Sequence, residues 1–215
     1  MSPANAHHAG HTPLSPLIHL IDDDAAVRDS LALLIGTVGL RVQVWSDPQA
    51  FIERFDRQGI GAIVLDVRMP GISGLTVLES LVAQGVDQPV IMLTGHGTVA
   101  MCRRAFKAGA AEFLEKPVND EQLLEALQNA VRQHVRSRER HQADRAARER
   151  YAQLSERERE VLGLIVGGLT NKEIGRALGL SPRTVETHRA NLFGKLEVDS
   201  LARLIRHYAA LAEAG

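Results

Sequence analysis

From Leu17 onward, short apolar runs alternate with longer segments in which apolar residues recur every three or four positions. The runs are LIHLI (17–21), VQVW (42–45), AIVLD (62–66), PVIML (89–93) and AEFLE (111–115), each too short for a stable helix and suited to a strand. Between and after them, AAVRDSLALLIGTV, DPQAFIERF, GLTVLESLVAQ, TVAMCRRAFKAG and NDEQLLEALQNAVRQHV carry the helical period. Gly39, Gly85 and Gly109 stand where helices should stop, as a helix C-terminus prefers. Five strands separated by helices predict an α/β domain, a doubly wound five-stranded parallel sheet over residues 17–131.

The texture changes after this. Residues 132–150 (RQHVRSRERHQADRAARER) show almost no apolar face and many Arg, which reads as a charged helical linker continuing the fifth helix. A phosphate-contacting arm is the alternative reading of the same charges. From Tyr151 to Glu213 the pattern is helical throughout. Ser155 with Glu158 and Thr170 with Glu173 form capping-box patterns, Ser181 precedes Pro182 as cap and first helical residue, and a last helix follows Asp199-Ser200. Four short helices predict a small all-α unit over 151–213, with Gly179 at a tight turn. At the other end, residues 1–16 lack periodicity and read as a disordered tail, and His7, His8 and His11 are more simply part of that tail than a metal site.

Composition narrows the class. With 45% hydrophobic and 24% charged residues in 215 positions, each of two domains has enough apolar side chains for its own core. The single cysteine, Cys102, excludes an intramolecular disulfide and reads as a small residue on an Ala-rich helix. No apolar run approaches the roughly 18 residues of a membrane helix, and the first residues lack a signal-peptide core, so a cytoplasmic protein without membrane contact is expected. Net charge is −1 overall, but residues 1–137 hold 11 Lys+Arg against 15 Asp+Glu, and residues 138–215 hold 14 against 11. The resulting −4 and +3 have the signs expected of a nucleic-acid-binding module at the carboxy-terminal end.

Ligands of an open α/β sheet bind outside the carboxyl ends of the strands. Here those ends carry Asp22-Asp23-Asp24, Asp66, Thr94 and Lys116-Pro117. Singly, each has a bland explanation, since Asp caps helices and Lys is solvated. Together, three carboxylates repel one another unless a hard divalent cation such as Mg²⁺ lies among them, and the set then suits phosphoryl transfer to Asp66 as nucleophile. Lys116 would pair with a phosphoryl oxygen, Thr94 would donate to another, and Gly95 would leave room for the group to enter.

The series Asp22-Asp23, LDVRMPG (65–71), TGHG (94–97) and Lys116-Pro117 resembles the receiver domain of two-component response regulators, a flavodoxin-like fold, in the branch containing FixJ. The resemblance implies Asp66 as phosphoacceptor, Asp22, Asp23 and the Arg68 backbone carbonyl as further metal ligands, Thr94 and Lys116 as phosphoryl contacts, and Phe113 as the switch aromatic. Arg68 and His96 occupy the positions that tune dephosphorylation in that family. A haloacid dehalogenase-type phosphatase would need a second Asp two residues after the nucleophile, where this chain has Arg68. No enzyme acting on outside substrates is expected, only phosphorylation and autodephosphorylation of Asp66.

In the second unit, L-S-x-R-E (154–158), G-x-T-N-K-E-I (168–174), L-G-L-S (178–181), T-V-x-x-H (184–188) and K-L-x-V (195–198) resemble, in this order, the LuxR/NarL-type helix-turn-helix. Val185, Leu192 and Leu196 share one stripe and read as core, while Arg183, Thr187, Ala190 and Asn191, flanked by Glu186, share the opposite face and are candidates for base edges. Thr170, Lys172, Ser181, His188, Arg189 and Lys195 are candidates for DNA phosphates. One copy with such modest positive charge would bind weakly, so a dimer on inverted half-sites is expected. The implied function is a response regulator that a histidine kinase phosphorylates on Asp66, which promotes dimerisation and sequence-specific DNA binding, with RNA polymerase as a further partner. Two alternatives are a constitutive DNA-binding regulator whose receiver is only a dimerisation scaffold, and a relay receiver passing phosphate to another protein.

Overall fold

The computed structural model describes residues 16–213. All but the last residue of the expected amino-terminal tail, with His7, His8 and His11, thus lies outside the described residues. The chain divides into two compact units at Ser137 and Arg138.

In the first unit the strands are β1 (Leu17–Ile21), β2 (Arg41–Trp45), β3 (Gly61–Asp66), β4 (Val90–Thr94) and β5 (Glu112–Glu115), all parallel in the order β2-β1-β3-β4-β5. Helices α1 (Ala25–Thr37), α2 (Pro48–Arg54), α3 (Gly74–Ala83), α4 (Val99–Lys107) and α5 (Asp120–Ala152) follow the successive strands. Side chains alternate across the sheet with period two, so each strand supplies two cores. Ile63, Leu65 and Met92 meet Phe51, Leu78 and Ala105 of α2, α3 and α4 on one face. On the other, Leu20, Val64 and Leu93 meet Leu31 and Ile35 of α1 and Leu123 and Leu127 of α5. β3 and β4 are covered on both faces, which explains their unbroken apolar runs.

Local chemistry starts the helices where the sequence pattern indicates. Asp24, Asp47, Ser73 and Thr98 accept hydrogen bonds from backbone N–H groups in the first turns of α1, α2, α3 and α4. Gly39, Gly85 and Gly109 adopt positive φ, the left-handed conformation that residues with a Cβ avoid. Order reverses between β1 and β3, so the crevice of a doubly wound sheet lies above their carboxyl ends.

The stretch 132–150 is helical, within α5, but it is not a uniformly solvated spacer. His134 is buried in the first unit, where its ring bonds to Gly61 at the start of β3 and its Nε2 lies 3.4 Å from Asp87. Ala147 is buried in the second unit with Tyr151 packed nearby. A polar His and an Ala among arginines give no apolar periodicity, so sequence pattern reads them as solvent-facing.

The second unit contains the end of α5 and α6 (Glu156–Val166), α7 (Asn171–Leu178), α8 (Pro182–Lys195) and α9 (Leu201–Glu213). Both capping boxes are formed, at Ser155 with Glu158 and at Thr170 with Glu173. Val161, Leu162, Ile174, Val185, Leu192, Leu196, Leu204 and Tyr208 build the core. Among the described residues, no helix is long and apolar enough to cross a membrane.

Candidate functional site

Strand register brings the acidic residues to one level. Ile21 pairs with Leu65, so Asp22 and Asp66 end adjacent strands, Asp66 pairs with Leu93, and Thr94 pairs with Glu115 just before Lys116. Asp22 is 1% exposed and Asp66 5%, whereas Asp23 faces solvent. Backbone N–H of Asp22 is held by the Trp45 carbonyl, and its own carbonyl accepts from Arg28 Nη1 at 2.7 Å. Lys116 Nζ bridges the two buried carboxylates, 2.5 Å from Asp22 Oδ2 and 3.2 Å from Asp66 Oδ1.

Burial pushes the Asp66 carboxyl above its ordinary range; the Lys116 charge opposes this, the Asp22 charge adds to it, and the Arg68 N–H bonded to Asp66 works against it. Burial alone would lower Lys116, but the bond to Asp22 and the charges of Asp66 and Asp22 outweigh it and hold the ammonium above its usual range. Lys116 therefore stays a fixed cation. One carboxylate oxygen from each of Asp22, Asp23 and Asp66 lies within 4.8 Å of the others. This all-oxygen donor set of high negative charge fits a hard divalent cation of the Mg²⁺ kind.

Thr94 is fully buried, and its hydroxyl is turned to the following loop. It accepts from the His96 N–H at 3.3 Å and lies 4.0 Å from Met101 Sδ on α4. The loop is tied to β5 through Gly97 N–H and Glu115 Oε1, 3.2 Å apart. Phe113 is half-buried against the same core as Met101 and borders a groove of about 740 Å³ that Val99, Cys102 and Phe106 also line. Arg68 and His96 are exposed at the rim of the crevice.

In the second unit, α7 and α8 meet at Gly179, whose φ of 67° ends α7 in the left-handed conformation. Leu180 N–H returns to the Gly175 carbonyl, and a Cβ on Gly175 would lie 2.8 Å from the Leu180 carbonyl oxygen, so the close turn needs glycine there. Val185, Leu192 and Leu196 are buried, and Arg183, Glu186, Thr187, Ala190 and Asn191 are all exposed on the other side of α8.

The phosphate candidates differ in how free they are. Lys172 is exposed and His188 half-buried. Thr170 and Ser181 cap α7 and α8 through their hydroxyls. Arg189 bonds Asn171 at 3.0 Å and lies over the Phe193 ring, and Lys195 Nζ is 2.7 Å from the buried Glu158 carboxylate.

Comparison with known proteins agrees with both halves of this geometry. The family described as response regulator receiver domain matches residues 18–128, and that described as bacterial regulatory proteins, luxR family, matches residues 152–208. The transcriptional regulatory protein FixJ of Azorhizobium caulinodans is 45% identical over 194 residues, covering 90% of this chain and 92% of that protein. FixJ of Bradyrhizobium diazoefficiens is 41% identical over 189 residues, with 88% and 92% covered. The chain is a response regulator of the NarL/FixJ type.

Among solved structures, the response regulator StyR superposes with a TM-score of 0.81 at 36% identity, over 91% of this chain and 99% of that one. Full-length FixJ from B. japonicum gives 0.58 at 39% identity, over 93% and 98%. This regulator therefore joins a receiver to a LuxR-type DNA-binding domain and regulates transcription within a two-component system.

Several contacting residues in the regulator carry no motif signal for their contacts. Glu158 reads only as half of a capping box, yet its carboxylate also holds Lys195, 37 positions away. Arg157 donates to the Leu178 carbonyl, and Tyr208 O–H to that of Leu196. Contacts between distant positions leave no trace in periodicity, although the place of His19 within the apolar run of β1 is a signal for a buried polar group, and its ring is 2% exposed.

Proposed function

We propose that Asp66 accepts a phosphoryl group from a sensor histidine kinase and that this state raises the regulator's affinity for promoter DNA. The observation that carries the reading is Lys116 Nζ bridging Asp22 and Asp66 beside Asp23 at the reversal point of the sheet. Asp22, Asp23 and Asp66, with the Arg68 backbone carbonyl, would hold Mg²⁺, which when bound offsets charge on the incoming phosphoryl group. An Asp66 oxygen forms the new bond to phosphorus as the donor's P–N bond breaks and the imidazole leaves. Lys116 pairs with the new phosphoryl oxygens as a point charge. Thr94 redirects its hydroxyl hydrogen from Met101 Sδ to a phosphoryl oxygen, and Phe113 turns inward behind it. The altered face of α4 and β5 favours a homodimer, and the dimer favours inverted half-sites.

On DNA, Arg183, Glu186, Thr187, Ala190 and Asn191 face the bases, and Thr170, Lys172, Ser181, His188 and Arg189 face the phosphates. RNA polymerase is the downstream partner, and the site of action is the cytoplasm, where promoter DNA lies. Arg68 and His96 shield the acyl phosphate from in-line water, so replacing both with Ala shortens its lifetime. The test is incubation with acetyl phosphate and Mg²⁺ followed by mass mapping. A hydroxylamine-labile phosphoryl group on Asp66, not formed when the cation is chelated beforehand or in Asp22→Asn/Asp23→Asn, is expected; labelling elsewhere, or labelling independent of the cation, would overturn the reading.

A further inference from the structure

We propose that Glu158, together with Arg157, positions the recognition helix α8, and that Lys195 serves as the internal counter-ion of Glu158 and not as a phosphate contact. The inference rests on the reading of α8 as the helix that enters DNA. Two successive residues in the first turn of α6 reach the ends of both helices of the helix-turn-helix. Arg157 Nη2 donates to the Leu178 carbonyl at 2.5 Å, at the last residue of α7. There the guanidinium satisfies a carbonyl that has no partner within the helix and complements the negative end of the helix dipole. Glu158 turns the other way. Its Oε2 accepts from Lys195 Nζ at 2.7 Å, at the last residue of α8, and from Ser155 N–H and Oγ at 2.8 and 3.0 Å.

The carboxylate is 5% exposed as a residue, while Lys195 has a side chain 42% exposed. If Lys195 swung out to a phosphate, a buried carboxylate would lose the only cationic partner it has among the described residues. Leaving a buried carboxylate without its counter-ion costs more than a solvated contact at the rim of an interface returns. Tyr208 of α9, itself buried, fixes the same end of α8 by donating to the Leu196 carbonyl at 3.0 Å. The carboxyl end of α8 is thus held from α6 and α9, and that of α7 from α6. The exposed residues of α8 read bases from a helix whose inclination to α7 these bonds set.

A positioning role and a phosphate contact have opposite signatures. Each phosphate neutralised contributes about one to the slope of log affinity against log salt, and a residue that only orients the helix contributes nothing to it. The full-length protein is assayed on a duplex that the wild type selects from random sequence, over a range of salt, as wild type, Glu158→Gln, Lys195→Met, the double variant, Arg157→Ala and Arg157→Lys.

Glu158→Gln and Lys195→Met should each weaken specific binding on the order of tenfold, with the double variant no weaker than either single one and the salt slope unchanged. The ratio of specific to non-specific affinity should fall, Arg157→Ala should behave similarly, and Arg157→Lys should restore part of the loss. A slope reduced by about one in Lys195→Met, with binding in Glu158→Gln strengthened or unaltered by the release of the lysine, would overturn the proposal. Should Glu158→Gln fail to fold by circular dichroism, Lys195→Met still decides by its slope, because the Lys195 side chain is exposed. Absence of any sequence preference in the wild type would instead refute the DNA reading itself.

Discussion

His19 makes the stability of the receiver pH-dependent in a direction the structure fixes. Its ring is 2% exposed on β1, among Trp45, Phe51 and Phe55 at centroid distances of 5.6–6.1 Å, and its Nδ1 accepts the Trp45 indole N–H at 3.2 Å. Burial lowers its pKa from 6.5 to about 4, against a smaller upward pull from the Asp56 charge. Above pH 6.5 the imidazole is neutral both folded and unfolded, so the full stability is present. As pH falls from 6.5 toward 4, the unfolded chain takes up a proton that the folded one refuses, and stability is lost. At about 1.4 kcal/mol per pH unit the whole loss is roughly 3 kcal/mol, complete below pH 4.

Trp45 is the sole tryptophan, so its fluorescence during urea unfolding reports this unit. Stability measured at pH 7, 5.5 and 4.5 in wild type and His19→Leu should diverge in slope, with the wild type falling more steeply by about 1.4 kcal/mol per unit inside that window. Parallel decline in the two proteins would refute the assignment of the loss to His19. Any constant offset between them is irrelevant to the slope.

Other consequences are equally direct. A Cβ at Gly74 would lie 2.0 Å from the Asp66 carbonyl oxygen, so Gly74→Ala should cost about 2 kcal/mol or more and slow phosphorylation by displacing the end of β3, read by thermal melting and by acetyl phosphate labelling. Leu192→Ala, at a fully buried position in the core of the second unit, should cost about 2–5 kcal/mol by circular dichroism and abolish DNA binding at 37 °C, while Asp66 still labels. Thr94→Ala removes the acceptor of the His96 N–H and the proposed reader of the phosphoryl group. That variant should phosphorylate yet show no gain in DNA affinity, and an undiminished gain in a gel-shift titration would remove Thr94 from the switch.

The sheet was legible because a parallel strand buried on both faces writes a continuous apolar run, as in AIVLD and PVIML, and because helix caps are local. The acidic site was legible for a similar reason. In this topology every carboxyl strand end points to the same side, so Asp22, Asp66, Thr94 and Lys116 could be placed together without knowing a distance. Which way Thr94 turns was not legible, since a rotamer is decided by Met101 and the His96 N–H across a loop. Nor were the contacts of Glu158 with Lys195, of His134 with the Gly61 backbone and of Arg157 with the Leu178 carbonyl, which join positions far apart in the chain. Lys195 illustrates the limit: its position at the end of the helix suits a phosphate, and the buried carboxylate 2.7 Å from its amine supports the other reading.

The most direct test of the regulator's mechanism is an equilibrium titration of its selected DNA site with wild type and Asp66→Asn, each with and without acetyl phosphate and Mg²⁺ at fixed salt. Wild-type affinity should rise with the phosphodonor, with a midpoint steepened by dimer formation, and Asp66→Asn should stay at the untreated level in both conditions. Equal affinity of the wild type with and without phosphodonor, or an equal rise in Asp66→Asn, would contradict the claim that the phosphoryl state of Asp66 sets DNA binding.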